Sequence, residues 1–585
     1  MASETGRVYS REMLIDRRNL LRWSGAGIGA LMFGSCARGA AQDATWPGPV
    51  VPPSEMPQLP IGMNLAQVAD YGAGFPFHNL MWGARPWMTH NAGGGGEWNT
   101  HQEEAFSFDA NGYPLEVPAK GSGTLPPQTV FTLLPNTLTP GKYVLLHDGD
   151  GVFAGVMGTR VISQGRGRAL LQMTQNGRLV EGLSIERSNP ANPVRNMRIV
   201  PLAHEHIDLA ATPFLPEFLE FCRPFHALRF MDWGATNNSI EETWASRRLP
   251  TFYTMVGVTG NPDDTNGHAP STFGRKFSGA VAHEVMIALA NTLGIDPWFC
   301  IPHRATDEYV AEMAKVVHAK LDPKLTAYVE VSNEIWNWQF VQAGWMLQSR
   351  RLGDMVEAAG GKAWDDSAKT KGANHPERIG ALFGHIFDVW QRNWPAADRK
   401  RTVRICATQT AWLDVALRTI DATMANGGCD AVAQSGYFGP RTAEYDRWAA
   451  RGAALTADDV IKDMRGVIAE QAKPGVALTA AQRAQKLGLR YVVYEGGQHL
   501  QPKGQAELPY NPALGAAQTN PAMYDLYLEN LRGQVHLGCS LFCAFSSVGG
   551  QGSRYGSWGA KSSYAEPNAN APKYRALLAA NKPRG

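Results

Sequence analysis

The sequence has few charges of either sign. Lys, Arg, Asp and Glu make up 18% of its 585 residues, and the formal net charge is only +2. It has no basic tract interleaved with aromatic residues, the pattern that nucleic-acid binding requires. G-x-S-x-G elbows and Walker loops are also missing, so nothing supports a serine hydrolase or a nucleotide-binding protein. We therefore predict no nucleic-acid partner.

Cysteine is scarce, with seven residues and no C-x-x-C pair. Most of these cysteines fall in apolar, strand-like runs, which favours buried thiols; a disulfide is the alternative, but spacing assigns no pair. His204 and His206 have no evident third ligand, and Asp148 and Asp150 lack the distal Glu of a calcium loop. The sequence therefore predicts neither a metal nor another cofactor.

The N-terminal region has the pattern of an export signal. Arg17 and Arg18 precede a short, weakly apolar run over residues 24–33, and small residues follow. We predict a twin-arginine signal over residues 1–41, because the run is too short and too Gly-rich to span a bilayer as a stable helix. Lipidation of Cys36 in an imperfect lipoprotein box is the alternative to cleavage. Both predict a periplasmic or secreted protein without a membrane span.

The composition changes along the chain in a way that suggests separate units. Residues 42–60 form a Pro-rich leader, and residues 61–103 contain a short apolar strand, "IGMNLA", followed by a loop rich in Gly and aromatic residues. Short alternating strands with turn residues between them predict an antiparallel β-sandwich over residues 104–206. Within this unit, the Gly-Asp-Gly at 149–151 predicts a β-hairpin.

Residues 207–585 alternate apolar strands with amphipathic helices. This alternation predicts a parallel sheet that helices cover on its outer face. With "IGMNLA" as the first, the strands number eight, which predicts a (β/α)8 TIM barrel whose site lies at the C-terminal strand ends. A doubly wound open sheet is the alternative, but no Gly-rich first turn supports it.

Polar and aromatic residues stand where these strands end. In chain order they are Arg229, His303, Asn333, Glu334, Tyr437, Glu495 and Trp558. A single Glu at a strand end often pairs with a neighbouring Arg. Two of them, Glu334 after strand four and Glu495 after strand seven, face each other across one barrel mouth. A carboxylate pair of this kind can perform acid/base and nucleophilic chemistry on a glycosidic bond.

Asn-Glu after strand four and Glu after strand seven resemble glycoside hydrolase clan A, the superfamily of retaining "4/7" barrels that includes family 5. An Arg on strand two, a His after strand three, an aromatic residue after strand six and a Trp after strand eight match the same pattern. The resemblance covers about residues 60–66 and 207–580. It implies that Glu334 is the general acid/base and Glu495 the nucleophile. The substrate-binding residues that it implies are Arg229, His303, Asn333, Tyr437 and Trp558.

This resemblance predicts an exported retaining hydrolase of a β-linked poly- or oligosaccharide. It also implies that Asn333 holds the sugar 2-hydroxyl and that hydrogen bonds from Arg229 and Tyr437 keep Glu495 ionised. The alternative is a polysaccharide-binding protein that does not cleave. Other residues have simpler explanations: alternation places Glu330 deeper in the barrel as the partner of an Arg, a structural role is the alternative for His303, and Trp336 and Trp338 are expected in helix packing.

Overall fold

A computed structural model describes most of the chain. The described residues are 56–174, 180–260, 274, 278–349, 352, 375–473 and 475–584. The predicted export signal, Cys36 and residues 42–55 of the Pro-rich leader lie outside them. Among the helices within these ranges, none has both the length and the apolar composition needed to cross a membrane.

Eight parallel strands form a closed barrel, in the order in which they follow along the chain. They are β1 (Ile61–Asn64), β10 (Ala227–Arg229), β11 (Asp296–Ile301), β12 (Ala327–Val331), β13 (Thr402–Ala407), β14 (Ala431–Phe438), β15 (Arg490–Gln498) and β16 (Cys539–Ala544). Pairing of Ile61 with Phe542 joins β1 to β16 and closes the ring. The predicted (β/α)8 barrel is thereby confirmed, with "IGMNLA" as its first strand.

Helices surround the barrel. Those in the described residues are α1 (Pro216–Cys222), α2 (His283–Leu293), α3 (Asp307–Lys320), α4 (Val341–Gln348), α5 (His375–Arg392), α6 (Leu413–Ala425), α7 (Thr442–Arg451), α8 (Ala457–Gln471), α9 (Val476–Lys486), α10 (Asn511–Ala517), α11 (Met523–His536) and α12 (Pro572–Ala580). Helix α2 ends at Gly294, whose φ of 61° suits glycine. Helix α8 begins with a capping box of Thr456 and Asp459.

The segment between β1 and β10 forms an antiparallel β-sandwich, as predicted. Its strands are β2 (Met88–Asn91), β3 (Gln128–Leu133), β4 (Gly141–Asp148), β5 (Gly151–Met157), β6 (Thr159–Gly165), β7 (Arg168–Met173), β8 (Glu181–Ser188) and β9 (Arg195–Pro201). They make two four-stranded sheets, in the orders β2–β3–β8–β5 and β6–β7–β4–β9. Strand β2 joins the first sheet although it precedes residue 104.

The hairpin predicted at residues 149–151 is wrong. Strands β4 and β5 flank this turn but lie in different sheets, so the chain crosses the sandwich there. Gly149 has a φ of 83°, and a Cβ at this position would overlap the carbonyl of Pro193. The hairpin is instead β6–β7, in which Gly165 pairs with Arg168. Glycine permits a tight reversal, but it does not determine whether the next strand pairs with the last or joins the facing sheet.

The cysteines of the described residues are buried and free. They are Cys222, Cys300, Cys406, Cys429, Cys539 and Cys543. Four of these six lie within barrel strands, where each acts as a small apolar side chain. This confirms the expectation that they fill the interior rather than form a disulfide framework.

Glycines allow α5 to approach the C-terminal end of α6. A Cβ at Gly384 would overlap the carbonyl oxygen of Asn426. We expect Gly384→Ala to destabilise the protein by about 1–3 kcal/mol, as overpacking does. At Gly466, in the middle of α8, an added Cβ would have nothing within 4 Å, so Gly466→Ala should stabilise by up to about 1 kcal/mol. Unfolding by denaturant measures the change in the free energy of unfolding for each variant. If both variants were stabilised, close packing at Gly384 would be contradicted.

Candidate active site

A buried arginine connects four strands at the C-terminal mouth of the barrel. Arg229, at the end of β10, is fully buried and makes a bidentate contact with Glu330 of β12 at 2.8 and 2.9 Å. Its Nη1 donates to Oδ1 of Asn64 on β1 at 2.9 Å and to Oε2 of Glu495 on β15 at 3.4 Å. Its Nη2 donates to Oδ1 of Asn333 at 2.8 Å. One guanidinium therefore positions side chains from three other strands.

Glu330 is the principal partner of this arginine, as alternation along β12 predicts. Its side chain is fully buried, and its Oε2 also accepts a hydrogen bond from Nε1 of Trp298 at 2.8 Å. The pair of Arg229 and Glu330 is close to neutral as a unit. Glu495 therefore contacts a cation whose charge is already largely balanced.

Glu334 lies on a left-handed backbone turn directly after β12. Its φ is 40°, and that of Ser332 is 60°, a conformation that non-glycine residues rarely adopt. The hydroxyl of Tyr494 donates to Oε1 of Glu334 at 2.9 Å, and the side-chain amide of Asn337 donates to Oε2 at 2.9 Å. Both carboxylate oxygens are thus held in place. Strained backbone of this kind concentrates at functional sites.

A β-bulge in β15 turns both Tyr494 and Glu495 towards the barrel interior. The pairing with β14 passes from Val493 to Glu495, and Tyr494 is the extra residue. Consecutive residues of a regular strand point to opposite faces, so sequence alternation gave no reason to place Tyr494 beside Glu334. The available signal was Gly496, because a glycine inside a strand often marks a bulge.

The two glutamates influence each other's ionisation. Burial, followed by the negative charge of Glu334, raises the pKa of Glu495 well above its usual value, while Arg229 lowers it. Burial also raises the pKa of Glu334, against the hydrogen bonds from Asn337 and Tyr494. Two buried carboxyls that oppose each other's ionisation favour a state with a single proton between them. The site can therefore offer a proton donor beside a carboxylate.

Asp232 adds a third carboxyl near the mouth, three residues after Arg229. Its side chain is half-buried, and burial raises its pKa to about 7, while Arg229 lowers it. Its negative charge also contributes to the raised pKa of Glu495. Its position at the end of strand two was visible in the sequence, but nothing there marked it as part of the site.

Four aromatic rings form one wall of the mouth. Tyr437, at the end of β14, contacts His499 and Phe545 edge-on, and Trp558 contacts the same two rings. Burial, followed by the negative charges of Glu495 and Glu334, raises the pKa of Tyr437. The hydroxyl of Tyr437 therefore lies near both glutamates. Among the described residues, that hydroxyl forms no hydrogen bond to Glu495, contrary to the expectation from the sequence.

Amide side chains hold the segment that follows β12. Nδ2 of Asn333 donates to Oδ1 of Asn237 at 3.1 Å. Nε2 of Gln342, on α4, donates to the same oxygen and to the backbone carbonyl of Asn333, both at 2.9 Å. Asn237 and Gln342 could not be identified from the sequence, because neither lies at a strand end. They fix the residue that precedes Glu334.

His303 is the predicted site residue that the structure does not connect to the others. It is 1% exposed and packs edge-on against Trp345 of α4, and burial, with help from Arg304, lowers its pKa to about 3. Within the described residues, neither ring nitrogen has a hydrogen-bond partner, and no hydrogen bond or ring contact joins His303 to either glutamate. Its role in substrate binding stays a prediction.

No protein-family model and no curated protein matches this chain. Fourteen chains of solved structures do. A 4-O-α-L-rhamnosyl-β-D-glucuronidase from Fusarium oxysporum 12S is 12% identical, with 60% of this chain and 61% of that chain covered and a TM-score of 0.32. A family 26 endo-β-1,4-mannanase from Cellulomonas fimi is 12% identical, with 55% and 60% covered and a TM-score of 0.26.

A third match is β-glucosidase 2 from Trichoderma reesei. It is 11% identical, with 61% of this chain and 85% of that chain covered and a TM-score of 0.29. The matched part spans about three fifths of the glucuronidase and of the mannanase. With TM-scores this low, the function of this chain has to be argued from its own residues.

The substitution of Glu by Gln should have opposite effects on stability at two positions of this site. Glu330→Gln removes the ionic partner of a fully buried arginine, which costs about 3–5 kcal/mol. Glu495→Gln removes a carboxyl whose pKa is raised mainly by burial, so it should stabilise the protein at neutral pH. Unfolding by denaturant between pH 4 and 8 measures both free energies.

The pH dependence of the Glu495→Gln effect has a definite sign. A raised pKa means that the folded protein holds the proton more tightly than the unfolded chain, in which a glutamate titrates near about 4.3. The stability contributed by protonated Glu495 is therefore present at acid pH and lost as the pH rises through the folded pKa. The gain from Glu495→Gln should be small at pH 4 and grow towards pH 8; a gain independent of pH would contradict this.

Proposed function

We propose that this protein is a retaining glycoside hydrolase that cleaves a β-linked poly- or oligosaccharide. The observation that carries this proposal is the electrostatic coupling of two buried glutamates at one barrel mouth, Glu334 after β12 and Glu495 on β15. Hydrolysis by two carboxyl groups needs one of them protonated and the other ionised. A pair in which each glutamate has a raised pKa supports a state with one proton shared between the two carboxyl groups.

Glu495 is assigned as the nucleophile from the resemblance to the 4/7 barrels and from its 3.4 Å contact with Arg229, the group that lowers its pKa against burial and the charge of Glu334. Glu334 is assigned as the acid/base. In the first step Glu334 gives its proton to the glycosidic oxygen while Glu495 bonds to the anomeric carbon and the leaving-group sugar departs. Formation of this ester removes the charge of Glu495, which lowers the pKa of Glu334. Glu334 then takes a proton from water, which attacks the same carbon and releases Glu495.

The remaining side chains support this chemistry. Tyr494 and Asn337 fix the direction of the Glu334 carboxyl. Asn333 lies beside it and is proposed to bind the sugar 2-hydroxyl. Tyr437 and Trp558, in the aromatic wall, are proposed to contact the sugar ring, Tyr437 with a hydroxyl still available to donate. We also retain three proposals from the sequence: export by residues 1–41, an accessory β-sandwich near residues 104–206, and a contact of the substrate with His303.

Replacement of the two glutamates should separate their roles. Glu334→Ala should lower kcat/KM on an oligosaccharide by about 10²–10⁴-fold, the usual contribution of a general acid. Its effect on the dinitrophenyl glycoside of the same sugar should be far smaller, because that leaving group departs without protonation. Glu495→Ala should abolish hydrolysis of both. Proton NMR of the first product should show the β-anomer.

Two results would contradict the proposal. Hydrolysis that survives in Glu495→Ala would exclude the assigned nucleophile. A wild-type protein that binds β-linked glycans but cleaves none of a broad panel would favour the polysaccharide-binding alternative.

The hydrogen bond from Tyr494 should set the alkaline limit of activity. This bond lowers the pKa of Glu334, so Tyr494→Phe should raise that pKa and keep the acid protonated to higher pH. The alkaline limb of the profile of kcat/KM against pH should therefore move upward. Tyr491→Phe is the matched control, because its hydroxyl donates to Gln434 on the same strand pair instead. An alkaline limb that does not move in Tyr494→Phe would exclude Glu334 as the acid.

A further inference from the structure

Two tryptophans near the barrel mouth leave about half of their side chains in solvent. Trp338 is 51% exposed and Trp412 is 49% exposed. Trp338 lies in the loop after β12, four residues beyond Glu334, and Trp412 lies in the loop after β13, directly before α6. These strands are neighbours in the barrel. Loops that follow parallel strands share the C-terminal face, so both rings lie on the face that carries the glutamates.

A buried histidine connects the two tryptophans. The ring of His375, the first residue of α5, is 5.3 Å from that of Trp338 and 5.8 Å from that of Trp412 between centroids. His375 itself is 4% exposed, so its buried ring packs against the inner sides of the exposed rings of Trp338 and Trp412. We call Trp338, His375 and Trp412 the tryptophan platform.

The exposure of these rings sets them apart from other tryptophans of the described residues. Trp336, two positions before Trp338, is 4% exposed, and Trp298 in β11 is fully buried. A tryptophan offers a large apolar area, and leaving that area in water forgoes the free energy that burial would provide. Exposed apolar area that is continuous and borders a site usually marks a ligand surface.

We propose that the tryptophan platform binds the sugar units on the leaving-group side of the bond to be cleaved. The proposal rests on the hydrolase function and on the assignment of Glu334 as its acid. Asn337 donates to Oε2 of Glu334 and is the neighbour of Trp338, so the platform begins beside the carboxyl that protonates the leaving oxygen. The leaving sugar emerges on that side.

The chemistry of the platform fits a chain of sugars rather than a small leaving group. Flat aromatic faces accept the C–H faces of sugar rings and leave the hydroxyl groups in solvent. Two rings, with His375 between them, can contact successive units of an oligosaccharide. The platform thus favours substrates with at least one further sugar beyond the bond that is cleaved.

The experiment compares two substrates with the same sugar at the reacting carbon, a β-linked oligosaccharide and the corresponding β-glycosyl fluoride. Trp338→Ala and Trp412→Ala should each lower kcat/KM about tenfold on the oligosaccharide, mainly by raising KM. On the glycosyl fluoride, whose leaving group is a single atom and does not reach the platform, they should change kcat/KM less than twofold. Trp338→Phe, which keeps a flat ring, should recover most of the loss.

Leu487→Ala is the control, because Leu487 is 37% exposed and precedes β15 at the opposite end of the barrel. An equal loss on both substrates, or no loss on either, overturns the inference and leaves the hydrolase proposal standing. If the wild type cleaves neither substrate, the proposed hydrolase function fails. Calorimetry then measures the binding of the oligosaccharide to the wild type and to Trp338→Ala, and this comparison tests the platform alone. Weaker binding by Trp338→Ala supports sugar binding at the platform, and unchanged binding overturns it.

Discussion

The candidate site depends on one buried guanidinium. Burial of a cation at the centre of a barrel requires a partner, and Glu330 provides it with two short hydrogen bonds. The planar fork of Arg229 then has fixed directions left for its other N–H groups, which reach Asn64, Asn333 and Glu495. A lysine ammonium has only three N–H donors on one nitrogen and no planar fork, so it could not make the five hydrogen bonds that Arg229 donates. The side chains of the candidate site are therefore held by the same contacts that join β10 to β1, β12 and β15 at the barrel mouth.

This arrangement also favours protonation at the mouth, because burial raises the pKa of both Glu334 and Glu495. Arg229 makes two short hydrogen bonds with Glu330 and a longer one with Glu495, whereas the Glu334 carboxyl is held by Tyr494 and Asn337. The two glutamates that remain are buried and repel each other. Arg229 lowers the pKa of Glu495 but does not outweigh burial and the charge of Glu334. Burial and mutual repulsion therefore favour a proton on this pair, and two-carboxyl hydrolysis requires one protonated and one ionised group.

Sequence patterns predicted the parts of the site that depend on barrel topology. Eight apolar strands imply one face that carries all C-terminal strand ends, so Arg229, Glu334 and Glu495 could be placed together without a structure. Alternation along β12 also placed Glu330 below Glu334. What the sequence could not provide was local irregularity. The bulge that brings Tyr494 inward breaks alternation, and strand-end position did not reveal that His303 points into packing against α4.

The turn after β12 shows how one local irregularity can serve two purposes. The left-handed conformation of Glu334 reverses the chain, and the N–H of Asn337 closes the turn on the carbonyl of Glu334 at 2.7 Å. Trp336, inside the turn, is buried, and its ring packs edge-on against that of Tyr494 with 6.4 Å between the ring centroids. Trp338, beyond the turn, faces solvent. Both tryptophans were expected in helix packing; this is wrong for Trp338, which is 51% exposed and lies before α4, because that helix begins only at Val341. The turn separates them, because the conformation that aims the Glu334 carboxyl at the mouth also directs Trp338 onto the surface beside it.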